Sequence, residues 1–202
     1  AAKIFAAAEK YKTPLFSCSQ HRFSPGFIGM RNHEEVGKVL GCNVWGGFEG
    51  EPNHPGYFWH LHPFETLYTI MGPGVETVSA TQAEGGDVIT GVWKDGRIGT
   101  VHIIRKGAVK YSAVVFGDRG IAAAGMYGYE APVKGVTPKG RYKGYEGVST
   151  EIAKFFKTGK LPVEPAETLE LFAFIEAAHR SSAEGGGPVK LADVLKEAKQ
   201  AK

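Results

Sequence analysis

Residues 87–105 read DVITGVWKDGRIGTVHIIR, and this stretch decides the fold. Two runs rich in β-branched residues, Asp87–Trp93 and Ile98–Arg105, flank Asp95-Gly96. Glycine tolerates the positive φ that a tight turn needs, so the pair reads as a hairpin. Outward from it, Glu76–Gln82, Val109–Phe116 and Gly120–Met126 are further strand candidates, punctuated by Gly85-Gly86-Asp87, Lys106-Gly107 and Gly117-Asp118-Arg119-Gly120. Four closely spaced turns predict a meander of antiparallel strands, a kind of sheet that often leaves one face open to a partner. Upstream, Val36–Phe48 reads as a strand broken by Gly46-Gly47.

The flanks are helical. Phe58–Met71 places Leu61, Phe64, Leu67, Tyr68 and Met71 near one face, with Pro63 in the first turn, where proline is tolerated, and Gly72-Pro73-Gly74 as the stop. Ser149–Thr158, Pro165–Ser182 and Leu191–Ala201 follow; Leu171, Phe174, Ile175 and Ala178 give the second of these its apolar stripe. At the other end, Ala1–Tyr11 forms an amphipathic helix stopped by Thr13-Pro14. Leu15–Ser19 reads as a short buried strand and Arg22–Glu35 as irregular. A helix followed by one short strand is an odd way to begin a domain and looks like the tail of an α/β unit. The expected class is therefore α+β: a predominantly antiparallel open sheet with helices packed on one face, preceded by a remnant helix and strand of an α/β domain. The boundary falls between residues 1–22 and 23–202.

Composition narrows the function. A net charge of +3 over 202 residues, without a dense basic stripe, points away from nucleic acid; the most basic stretch, Lys134–Lys143, is rich in Gly and Pro and reads as a loop. No apolar run reaches about 18 residues, so no membrane-spanning helix is expected. Two distant cysteines, Cys18 and Cys42, predict no disulfide and favour a reducing, cytoplasmic setting. There is no GxGxxG after a strand, no phosphate loop and no GxSxG. The run Gly185–Gly187 follows a helix and lacks the strand–turn–helix setting that holds a pyrophosphate.

The richest polar cluster is His54, His60, His62 and Glu65. His62 and Glu65, three residues apart, share a helix face. His62 can exchange a proton near neutral pH, with Glu65 available to orient its ring. A set of helix-start polar groups bordering a cleft fits the same spacing, and no metal site is expected, because spacing does not supply convergence. Arg22 can grip a carboxylate or hydroxyls, or serve a salt bridge. Phe48, Tyr57 and Trp59 can wall a sugar ring or pack a core.

Several of these stretches together resemble the Gfo/Idh/MocA oxidoreductases. Pro14-Leu15-Phe16-Ser17 leading into Arg22-Phe23-Ser24-Pro25 is similar to the segment that leaves that family's nucleotide domain. His62 to Gly74 looks like its catalytic helix, Gly91 to Arg97 like the following hairpin, and Pro162 to Glu176 like the closing helix. The resemblance covers nearly the whole chain in colinear order. It implies an N-terminal Rossmann domain holding NAD or NADP, and a C-terminal α+β domain whose sheet builds a homo-oligomer and whose cleft takes a sugar, polyol or related hydroxy compound. His62 then matches the catalytic histidine and Glu65 the acidic residue one turn later. Arg22 lies where the family often keeps a basic residue near the substrate, and His60, Tyr57 and Trp59 join it as candidate substrate contacts. The Rossmann domain is missing apart from its apparent last helix and strand, the lysine of the family's Glu-Lys-Pro motif falls before Ala1, and the family's usual aspartate is Phe58 here. The cofactor is accordingly expected in the full-length enzyme and not on this chain alone. Two other readings stay open: a stand-alone binding or assembly module without catalysis, and a cofactor-independent or metal-dependent lyase using His62.

Overall fold

In a computed structural model, residues 1–31, 33–47, 61–105, 110–126 and 144–200 are described. Among them, strands β1 (Val39–Gly47), β2 (Val75–Ala83), β3 (Gly86–Trp93), β4 (Ile98–Ile104), β5 (Ser112–Gly117), β6 (Ile121–Gly125) and β7 (Val189–Lys190) form one sheet, in the order β6-β5-β1-β4-β3-β2-β7. The helices are α1 (Ala2–Lys10), α2 (Pro25–Arg31), α3 (Leu61–Met71), α4 (Glu146–Thr158), α5 (Pro165–Ala183) and α6 (Leu191–Gln200). The α+β class with an open, mostly antiparallel sheet is as expected.

The strands form where alternation predicts them, and the hairpins close at Asp95-Gly96, with Gly96 at φ +86°, and at Gly117–Gly120. The meander itself is interrupted. β4 does not pair with β5; β1 lies between them, parallel to β4 (Val44 opposite Val101) and antiparallel to β5 (Val44 opposite Ala113). Local turn signals cannot reveal this, because the insertion joins segments far apart in sequence. Gly46-Gly47 does not break β1 either. A Cβ at Gly46 would meet Pro63 Cγ at 2.6 Å and Tyr111 Cδ1 at 2.7 Å, so the glycine lets the first turn of α3 lie against the strand.

Two further expectations at the N-terminal end are corrected. Leu15–Ser19 is not a strand; its backbone is held by side chains, Thr168 Oγ1 donating to Ser17 O (3.3 Å) and the Ser19 N–H donating to Glu65. Arg22–Glu35 is not wholly irregular: the 3-10 turn Gln20–Phe23 runs into its start, and α2 follows. Gln20–Phe23 starts at Ser19, whose hydroxyl accepts from the His21 N–H (3.2 Å).

The core lies between the sheet and helices α3 and α5. Phe64, Leu67 and Phe174 are fully buried against Ile89, Trp93, Val101 and Ile103. Each such side chain contributes about 1.5–3 kcal/mol by leaving water. The far end of α3 is fixed by its neighbours. Gly72 takes φ +71°, Trp93 Nε1 donates to Gly72 O (2.9 Å) and Arg97 Nη1 donates to Met71 O (2.9 Å). Glu170 of α5 accepts from the Gly74 and Val75 N–H groups and from Tyr68 Oη. The other face of the sheet leaves Val88, Ile98 and Ile121 exposed, together with Asn43 and His102.

Candidate functional site

His62 is the second residue of α3, and its ring is surrounded by aromatic groups from two other segments. The His21 ring stacks on it at 4.5 Å between centroids and 13° between planes. Tyr111, just before β5, meets both rings edge-on, at 4.7 Å from His21 and 5.8 Å from His62. His62 Nδ1 is buried without a hydrogen-bond partner among the described residues. A buried polar atom left unpaired costs about 1–3 kcal/mol. Such a cost is commonly found where a group is kept for its chemistry. Burial holds the His62 pKa below the ordinary histidine value, so the ring is neutral at pH 7 and able to accept a proton.

Glu65 lies one turn further along, 1% exposed. Its partners are the Ser19 N–H and Arg22, whose Nε is 3.6 Å from Oε1; it does not bond to the His62 ring. Burial outweighs the neighbouring guanidinium and pushes the carboxyl up to about 7. Arg22 is itself buried and also donates from Nη2 to Glu167 Oε1 in the first turn of α5. The guanidinium, which the sequence reads as gripping a carboxylate or hydroxyls or serving a salt bridge, is engaged by two carboxylates of the protein. Its third surrounding is a surface cleft of about 440 Å³ lined by Phe23, Ile28, Arg31, Thr69, Pro162 and Glu167. Arg22, Glu65 and Glu167 thus fasten the 3-10 turn to α3 and α5.

The structure brings together three of the expected site residues, Arg22, His62 and Glu65. His60, Tyr57 and Trp59, with His54 and Phe48, lie outside the described residues. No group of three or more His, Cys, Asp or Glu side chains able to hold a metal occurs among the described residues. His21, Thr66, Tyr111 and Glu167 were not singled out by sequence. His21 directly precedes Arg22 and Glu167 sits in a helix first turn, but only the tertiary fold brings them to His62 and Arg22. The cysteines are free thiols; Cys18, half-buried behind Glu65, is pushed up to about 12 and is inert as a nucleophile.

The fit of a dinucleotide can be judged on the described backbone. The only parallel strand pair there is β1–β4, and the described glycine turns that leave a strand, at Gly85, Gly96 and Gly117–Gly120, each lead into another strand. The described residues do not form a pyrophosphate cradle. No helix among them is long and apolar enough to cross a membrane.

No protein-family model and no curated protein sequence matches the chain. Solved structures do. A probable dehydrogenase from Thermotoga maritima superposes with a TM-score of 0.75 at 21% identity, over 95% of this chain and 69% of that one. GenD2 from gentamicin A biosynthesis, in complex with NAD, gives 0.71 at 19%, over 94% and 67%. Scyllo-inositol dehydrogenase from Lactobacillus casei, with bound NAD(H) and scyllo-inositol, gives 0.72 at 10%, over 93% and 68%. The chain spans about two thirds of the length of each, and at these identities the likeness is one of fold: nearly all of this chain shares the architecture of the larger part of each of these proteins.

Proposed function

We propose that this chain is the substrate-binding and assembly portion of an NAD(P)-dependent oxidoreductase of the Gfo/Idh/MocA type, acting on a sugar, polyol or related hydroxy compound, with His62 as its proton-transfer group. The observation that carries this reading is the neutral, partly buried imidazole of His62 at the start of α3, unpartnered at Nδ1, in a fold shared with inositol dehydrogenases. The His62–Gly74 helix and the colinear motifs around it support the same assignment.

In this reading His62 accepts the proton of a substrate hydroxyl as the carbon bearing it is oxidised. Hydride transfer is the chemistry of a nicotinamide held outside these residues, with the protein supplying orientation and electrostatics. Arg22, Glu65 and Glu167 support this site by fixing the turn that carries His21 to α3, and Arg22 and Glu167 also line the neighbouring cleft in which a substrate would be held. Residues 1–22 are the tail of the nucleotide-binding domain in this scheme, and the open sheet face joins copies of the chain. The free thiols suit a cytoplasmic setting.

The test uses the natural gene product, with whatever polypeptide is encoded before Ala1, and follows nicotinamide reduction with inositols and sugars as substrates and NAD or NADP as oxidant. Turnover of at least one polyol is expected, and His62→Asn should lower kcat by about 10²–10⁴-fold. Failure to bind either cofactor, or turnover that survives His62→Asn, overturns the reading.

A further inference from the structure

Two imidazoles lie face to face where α3 begins, and only one of them has been given a task. His21 is 1% exposed. Its ring is fixed by more than the stack. Nδ1 lies 3.2 Å from Thr66 Oγ1, and that hydroxyl donates to His62 O at 3.0 Å, one helical turn back. A hydroxyl has one proton to give. Since Thr66 spends it on the His62 carbonyl, it accepts at the other end, and the proton between His21 and Thr66 belongs to His21 Nδ1. His21 is thereby tethered, through Thr66, to the backbone of the very residue whose side chain it stacks on. Phe27, at 5.9 Å, and Tyr111 flank the ring further.

We infer that His21 is a positioning residue for His62: a neutral plate that sets the rotation of the His62 ring and so the edge it offers to substrate. The inference rests on the reading of His62 as the proton-transfer group. The physical need for such a plate is plain. Among the described residues the His62 ring has no hydrogen bond at Nδ1 to hold its rotation, so ring contact must do so, and the ring contacts there are the stacked face of His21 and the perpendicular ring of Tyr111. Misplacement of a reacting group by about 1 Å is enough to cost about 100-fold in rate.

Two stacked imidazoles cannot both carry charge. Burial, reinforced by the charge that His62 takes on, lowers His21 to about 3, so the pair's single proton resides on His62. The remaining ionisable groups of the surrounding segments do not alter this order. Arg22 is engaged by Glu65 of α3 and Glu167 of α5. Cys18 and Cys42 are both pushed up by burial and stay neutral. Tyr111 stands perpendicular to both rings.

The experiment is nitrogen-resolved imidazole NMR of the full chain, paired with steady-state kinetics of the natural gene product, for wild type, His21→Ala, His21→Phe and Thr66→Val. In wild type, His62 should show one tautomer and one titration, below that of an ordinary histidine. In His21→Ala the His62 nitrogen shifts should move toward those of a freely rotating ring and its titration toward that of an ordinary histidine, with kcat lowered tenfold or more (about 10–100-fold) and KM changed little. His21→Phe, which keeps the plate, should recover most of both signals; Thr66→Val, which cuts the tether and keeps the stack, should lie between. Thr66→Val and His21→Phe remain informative if His21→Ala does not fold. Unchanged His62 nitrogen shifts and titration in His21→Ala overturn the inference, as do equal losses in His21→Phe and His21→Ala, or unchanged signals in Thr66→Val should His21→Ala not fold. If the NMR changes appear while wild type oxidises no substrate, the functional reading fails and the positioning of His62 by His21 stands.

Discussion

At the scale of single residues, the chain carries polar groups where a protein built for stability alone would place apolar ones. Arg22, Glu65 and Glu167 are packed together with little water. Such clusters seldom add net stability, but removing one member leaves an uncompensated buried charge. Arg22→Met should destabilise the protein by about 1–3 kcal/mol, read from urea unfolding, because Glu65, 1% exposed, loses its cation and takes up a proton while its hydrogen-bonding partners are left incomplete. His21 gives a pH signature of known sign. Its folded value of about 3 lies below its unfolded value near 6.5, so its contribution is whole above pH 6.5 and is lost as the pH falls toward 3. Relative to His21→Phe, wild type should lose about 2–3 kcal/mol between pH 6.5 and 4.5, measured as unfolding midpoints. Glu65 acts in the opposite sense, its stability present below pH 4.5 and lost as the pH rises through about 7; the comparison of the two chains cancels it. Parallel curves for the two proteins would show that the His21 ring is free to take a proton. Of this site, His62, Glu65 and Arg22 were legible in the sequence, because their types and their places at helix and loop boundaries advertise them. His21 and Glu167 were not: a residue that acts by stacking or by pairing across the fold leaves no local pattern.

At the scale of elements, the agreement is closest where a signal is local. The hairpins at Asp95-Gly96 and Gly117–Gly120, the proline in the first turn of α3 and the glycine after its last all follow from the chemistry of two to four adjacent residues. It fails at Leu15–Ser19, where a short apolar run finds no ladder and is held instead by Thr168 and Glu65, and at Pro25–Arg31, where two glycines and a proline still allow a short helix. Gly46 shows why a glycine inside a strand pattern can mean something other than an interruption. It is the floor on which Pro63 and Tyr111 rest, beside the His62 ring. Gly46→Ala should cost about 1–3 kcal/mol by overpacking and displace Tyr111, which would be seen as a change in the His62 imidazole shifts at unchanged secondary structure.

At the scale of the whole molecule, the two faces of the sheet differ. One is sealed by α3 and α5; the other shows Val88 at 42% and Ile98 at 52% exposure near Asn43 and His102. If this face joins copies of the chain, Val88→Lys with Ile98→Lys should shift light-scattering masses toward that of a single chain while leaving the melting of the protomer within about 1 kcal/mol. A wild type that is already a lone chain at micromolar concentration would remove the sheet face from the scheme. The placement of β1 bears on how the molecule comes to be formed. Neither β2-β3-β4 nor β5-β6 makes a complete sheet; among the described strands the two are joined through β1, whose partners Val101 and Ala113 both lie more than 50 residues downstream of Val44. Hairpins can zip early because their ends are close, whereas β1 must wait until both halves exist and then close long loops on both sides of itself. If the contacts of β1 form after the rate-limiting step, a substitution that weakens β1, such as Val44→Ala, should speed unfolding far more than it slows folding; a chevron whose folding arm drops instead would place β1 in the folding nucleus. The segment that seats the first turn of α3 is thus the one whose pairing closes the longest loops of the sheet, so a late docking of β1 is expected to delay the completion of the wall beside His62.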